Sequence, residues 1–178
     1  MKLTQGWIDG VTRVPSPHFD ERPQEEIPSL LVIHNISLPP NEFGGPYINQ
    51  LFCGTLDPNE HPYFAEIHHL RVSAHCLIRR DGEIIQYVPF DKRAWHAGVS
   101  QFDGRERCND FSIGIELEGT DDVDFTPQQY QSLSRLTQLL MQHYQITPER
   151  ITGHSDIAPK RKTDPGEHFD WQRYKSMI

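Results

Sequence analysis

Apolar and polar positions along this chain follow two rhythms, separated by long stretches that follow neither. Ser29 to His34 is apolar on both faces, which predicts a central strand covered on each side, ending in a histidine just before the Pro39-Pro40 break. Ser73 to Arg79 and Glu83 to Val88 alternate on either side of Asp81-Gly82, which predicts a hairpin closed by a two-residue type I′ turn. Phe111 to Glu118 alternates strictly. Phe111, Ile113, Ile115 and Leu117 fall on one face and Ser112, Gly114, Glu116 and Glu118 on the other. Taken alone, the strand makes Glu116 a solvated position. The rhythm then changes to a helical one: Thr126 is placed as N-cap, Pro127 as first helical residue and Gln129 as the capping-box partner, with Tyr130, Leu133, Leu136 and Leu140 at helical spacing to about Tyr144.

The remaining segments read as connections. Pro15, Pro17, Pro23 and Pro28 exclude a long helix from residues 1–28, which are expected as an extended lead-in packed on the domain. Asn41 to Pro62 reads as a loop rimming a site, with a short helix near Tyr47 to Phe52. A helical turn or two is expected from Tyr63 to Leu70. Ile151-Thr152 is a short strand leading into Gly153-His154, followed by a polar loop to Gly166 and a last helical turn near Trp171 to Lys175. No linker or repeat divides the chain. The reading is one α/β domain over residues 1–178, built around one sheet.

Charge narrows the function classes. Seventeen basic and twenty-five acidic side chains give a net charge of -8, a poor basis for neutralising phosphates, so no nucleic-acid partner is expected. The imbalance is uneven: Arg71 to Arg107 holds seven basic residues against five acidic, a basic middle suited either to an anionic small substrate or to a mixed solvated face. Cys53, Cys76 and Cys108 are odd in number and unpaired in spacing, as in a reducing compartment. The polar start and the short aliphatic run from Leu30 to Ile33 predict neither export nor membrane insertion, so the expected location is the cytoplasm. Oligomeric state is not legible.

Of ten histidines, His34 and His154 stand out because each follows a strand, and strand ends at one sheet edge are where an α/β domain assembles its site. Asp164 lies ten residues beyond His154, in an Asp-Pro-Gly that also suits a plain turn. If the three converge they supply the ligand number of a catalytic zinc. Spacing leaves His68, His69 and His75 open as alternatives. A Cys76–histidine nucleophile pair is also conceivable, although a thiol in an alternating strand is more often a small core residue.

Longer stretches carry a resemblance. Leu31-Val-Ile-His34-Asn35, Arg71-Val-Ser-Ala-His75, Trp95-His96-Ala97-Gly98, Asn109 through Gly119, and Thr152-Gly-His154 through Lys162-Thr-Asp164-Pro-Gly166 together resemble the zinc-dependent N-acetylmuramoyl-L-alanine amidases. The likeness is to the cytoplasmic branch that acts on 1,6-anhydro-muropeptides during peptidoglycan recycling. It implies the fold shared with phage amidase lysozymes and peptidoglycan recognition proteins, a mixed central sheet flanked by helices. It further implies one zinc per chain on His34, His154 and Asp164, Glu116 as general base and Lys162 as stabiliser of the transition state. Asn35, Arg71, Trp95 and Arg107 become candidates for binding the muropeptide, and Tyr47 a rim residue without a role. The rival readings are a peptidoglycan-binding module without turnover and an amidase acting on intact peptidoglycan.

Overall fold

The computed structural model describes residues 1–178. Residues 1–28 are extended as expected, but they form strands: β1 (Leu3–Thr4), β2 (Trp7–Ile8), β3 (Thr12–Arg13) and β4 (Phe19–Glu21). β5 (Leu30–Ile36) follows, then α1 (Tyr47–Cys53), α2 (Pro62–Ile67), β6 (Cys76–Ile78), β7 (Ile84–Gln86) and β8 (Lys92–Ala94). Two short strands, β9 (Gln101–Phe102) and β10 (Arg105–Glu106), make a hairpin before β11 (Ser112–Glu118). The chain ends with α3 (Pro127–Tyr144), β12 (Ile151–Gly153), α4 (His154–Ile157) and α5 (Trp171–Lys175).

Six strands form the main sheet in the order β12-β5-β11-β6-β7-β3. β12, β5, β11 and β6 run parallel, and β7 turns back antiparallel to β6, so the sheet is mixed. The three parallel strands β12, β5 and β11 therefore deliver their C-terminal ends to one edge. Ile113, Ile115 and Leu117 of β11, with Leu31 and Ile33 of β5, meet Tyr130, Leu133, Leu136 and Leu140 of α3 in the largest core cluster. That helix starts with the predicted capping box: Thr126 accepts from the Gln129 amide and the Gln129 side chain accepts from the Thr126 amide. On the opposite face α1 and α2 bury Ile48, Leu51, Phe52 and Phe64 against Leu77, Ile85 and Tyr87. No helix is long and apolar enough to cross a membrane.

One expectation is corrected and two are made more specific. The hairpin of β6 and β7 does not close through a two-residue type I′ turn. The Gly82 amide donates to the Arg79 carbonyl, and the Arg79 amide to the Glu83 carbonyl, leaving a three-residue loop. Gly82 has φ 89° while Asp81 is not left-handed, and a type I′ turn requires positive φ at both. Second, the lead-in does more than pack on the domain, since β3 joins the sheet beside β7 and β4 pairs with β8. Third, the basic middle is largely neutralised within the chain. Arg93 pairs with Asp20 and Asp110, Lys92 with Glu21, Arg105 with Glu26 and Arg79 with Glu118. Three of those acids lie in the lead-in, so opposite charge fastens the first segment onto the middle of the chain.

Candidate metal and hydrolytic site

Parallel pairing does the assembly. In the β5–β11 register His34 stands opposite Glu116, and in the β12–β5 register Gly153 stands opposite Ile33, which brings His154 beside His34. His154 opens α4 immediately after its strand, and its side chain is buried. Asp164 returns from the loop beyond. The ligand atoms of His34, His154 and Asp164 all lie within 4.8 Å of one another. Asp164 Oδ2 is 3.0 Å from His34 Nδ1 and 3.1 Å from His154 Nδ1, and the two Nδ1 atoms are 3.0 Å apart.

The proton inventory makes this cluster incomplete. His154 Nε2 is 3.1 Å from the Ala97 carbonyl, which can only accept, so the proton of the neutral ring sits on Nε2 and a lone pair on Nδ1. Burial lowers the pKa of His34 and disfavours its imidazolium. Asp164 Oδ2 faces both Nδ1 atoms, and a carboxylate there can only accept. Two imidazoles and a carboxylate thus aim electron pairs at one point. Two nitrogens and one oxygen are a fitting donor set for a divalent cation, and three protein ligands leave a position open.

The same cavity, about 370 Å³, is lined by His34, Asn35, Trp95, His96, Glu116, His154, Lys162 and Asp164. Its apolar wall includes Leu51, Phe52, Ile67, Leu70 and Val72. Glu116 is not the solvated residue that alternation alone suggests, for it is only 9% exposed. Its Oε2 is buried without a hydrogen-bond partner. Burial first, and the Asp164 charge second, raise its pKa well above the ordinary value, with Lys162 opposing. Glu118, two residues on, is fully engaged: it pairs with Arg79 at 2.8 Å and accepts from the Gly44 and Arg80 amides.

The other candidates divide. Asn35 lines the cavity and donates to Asp121 Oδ1 (2.7 Å) and the Pro165 carbonyl (3.0 Å), bracing the loop that carries Asp164. Trp95 stacks near His18 and donates from Nε1 to Asp20. Arg71 is exposed and outside the lining, although its neighbours Leu70 and Val72 belong to it. Arg107 pairs with Asp110 and lines a separate groove with Lys160 and Arg161, which shares no lining residue with the cavity. Tyr47 tilts against Phe64 and is not part of the cavity lining. Of the alternative ligands, His75 is buried against the Gly114 amide, and His68 and His69 are exposed. Sequence reasoning gave no role to His96, whose Nδ1 lies 2.9 Å from His34 Nε2. The available signal was Gly114, a glycine inside a strand, where another group comes close.

The chain belongs to the N-acetylmuramoyl-L-alanine amidase family, whose model matches residues 23–167. Within the family its likeness is to the AmpD type. The 1,6-anhydro-N-acetylmuramyl-L-alanine amidase AmpD of Escherichia coli K12 is 67% identical over 100% of this chain and 97% of its own. The crystal structure of a selenomethionine AmpD derivative superposes with a TM-score of 0.98 at 66% identity, covering 100% of this chain and 99% of that one. The E. coli amidase AmiD, in complex with the substrate anhydro-N-acetylmuramic acid-L-Ala-D-γ-Glu-L-Lys, has a TM-score of 0.61 at 29% identity, over 96% of this chain and 60% of that one.

Proposed function

We propose that this chain cleaves the amide between the lactyl group of 1,6-anhydro-N-acetylmuramic acid and the L-alanine of the stem peptide, with one zinc held by His34, His154 and Asp164, in cytoplasmic recycling of peptidoglycan. The observation that carries the reading is the convergence of three electron-pair donors beside a buried carboxyl, Glu116, that has an unpartnered oxygen. The substrate is that named for the AmpD relatives and seen with AmiD. When bound, zinc supplies a Lewis acid for the carbonyl and lowers the pKa of a coordinated water to about 7.

The chain's own groups do the rest. Glu116, with its unpartnered oxygen, takes a proton from the attacking water and passes it to the leaving alanine nitrogen. The Lys162 ammonium offsets negative charge developing on the lactyl oxygen, where one missing donor typically costs roughly 100- to 1000-fold in rate. Asn35 orients peptide backbone and Trp95 offers its face to the sugar. Arg71, beside the lining residues Leu70 and Val72, and Arg107, after exchanging Asp110 for the substrate, pair with the stem carboxylates.

The test is metal analysis of the purified protein, joined to mass-spectrometric assay on soluble anhydro-muropeptides and on intact sacculi. One zinc per chain, lost together with activity in Asp164→Ala and His154→Ala, is the expected result. Full zinc occupancy in both variants overturns the ligand set. Faster release of peptides from sacculi than from anhydro-muropeptides overturns the recycling role.

A further inference from the structure

The loop from Trp95 to Gly98 reaches both imidazoles of the candidate metal centre from behind. Its Ala97 carbonyl accepts from His154 Nε2, and its His96 Nδ1 meets His34 Nε2 at 2.9 Å. The loop does not hang free, because Asn109 Oδ1 accepts from the amides of His96 (3.1 Å) and Ala97 (2.8 Å). The His96 ring stands edge-on to His34, with centroids 5.0 Å apart at 85°. It lies across Gly114 of β11 so closely that a Cβ at that position would overlap it. On its far side His96 Nε2 is 3.1 Å from Ser112 Oγ, a buried hydroxyl.

Counting protons gives this chain a direction. A neutral histidine that offers Nδ1 to a cation keeps its proton on Nε2, and that N–H needs an acceptor. At His34 the group in position is His96 Nδ1. His96 can accept there only if its own proton is on Nε2, where Ser112 Oγ has lone pairs to receive it. Carboxylates and carbonyls commonly take this place behind a ligating histidine; a neutral imidazole adds no negative charge to the centre.

We infer that His96 is a positioning residue for the metal centre: pinned between Ser112 and Gly114 as the Nε2–H tautomer, it accepts from His34 Nε2–H and thereby presents the His34 Nδ1 lone pair to the cation. The inference rests on the metal reading above. It also assigns Gly114 a purpose, since any other residue would displace the ring that holds His34.

The experiment is zinc affinity by competition with a chromophoric chelator, for the unsubstituted protein, His96→Phe and His96→Asn. Phenylalanine keeps a flat ring and removes the acceptor, so His96→Phe should bind zinc about 10- to 100-fold more weakly, the usual effect of losing such a partner. Asparagine places Oδ1 where Nδ1 was, so His96→Asn should stay within about threefold of the parent on the same scale. A residue that merely filled space would give the opposite order, because asparagine leaves the larger void. His96→Phe at parental affinity, or His96→Asn as weak as His96→Phe, overturns the inference. Should His96→Phe fail to fold, long-range proton–nitrogen spectra of the unsubstituted zinc-loaded protein decide: a His96 proton on Nε2 supports it and one on Nδ1 overturns it. If the unsubstituted protein binds no zinc, the metal reading itself falls, which is visible before any variant is compared.

Discussion

On one face of β11, Ile113, Ile115 and Leu117 lie against α3 within a cluster of nineteen buried side chains. On the other, Ser112, Gly114, Glu116 and Glu118 are also buried, yet each meets a different partner or none. The apolar face is specified by volume, and many combinations of aliphatic residues of similar size would fill it. The polar face is specified atom by atom: one hydroxyl, one missing side chain, one free carboxyl and one paired carboxylate, in that order. Seven residues of a single strand therefore divide the labour between holding the fold and holding the chemistry.

The sharpest way to test that division is Glu116→Gln. Turnover on anhydro-muropeptide should fall by roughly 100- to 10,000-fold, the range for deleting a positioned base. Bound zinc and cooperative thermal unfolding should persist; near-parental turnover would put the base elsewhere. Next in size is Arg79→Met, which leaves Glu118 buried without its ion pair. Urea unfolding should report a loss of about 3–5 kcal/mol. A loss below about 1 kcal/mol would mean that the Gly44 and Arg80 amides suffice to hold that charge.

A paired substitution compares the faces directly. Adding one methyl on the polar face, Gly114→Ala, should destabilise by about 1–3 kcal/mol through overpacking against His96. Removing one methyl on the apolar face, Ile115→Val, should cost about 0.5–1.5 kcal/mol. The reverse order would mean that His96 swings aside at little cost. The gentlest test uses pH and the metal-free protein. Burial raises the folded-state pKa of Glu116, so the native form holds that proton more tightly than the unfolded chain does. The parent then loses stability as pH rises above the unfolded carboxyl value of about 4.3, until the folded pKa is passed. Glu116→Gln should match the parent in acid and gain on it as pH rises across that window, followed by denaturant midpoints at a series of pH values. A constant difference at every pH would show that Glu116 titrates normally.

What the sequence made legible follows the same line. β5, β11 and α3 were readable because volume patterns and capping chemistry are local, and Thr126-Pro127-Gln128-Gln129 announces a helix start without reference to the rest of the chain. The meeting of His34, His154 and Asp164 was not readable from spacing, since 120 residues separate the two histidines and only the register of β12 on β5 brings them together. The resemblance to a family supplied what periodicity could not. His96 enters the sequence reading only within Trp95-His96-Ala97-Gly98 and without a role, because its importance lies in two ring nitrogens facing partners 16 and 62 residues away. The hairpin turn was misjudged for a related reason: Asp-Gly suits several turn types, and the choice depended on the pairing of Arg79 with Glu83.

β3 has only two residues, yet they occupy the outer rim of β7, with Thr12 opposite Ile85 and Arg13 opposite Gln86. Beyond them the Val14 and Ser16 amides donate to the Gln86 and Tyr87 carbonyls. Without that cover β7 would present a row of unpaired amides and carbonyls, the template on which strands from separate molecules add to one another. A protein trimmed from its front would thus be expected to self-associate through this rim while His34, His154 and Asp164 stay together. The opening residues close an edge otherwise open to intermolecular pairing, and their loss should show first in light scattering.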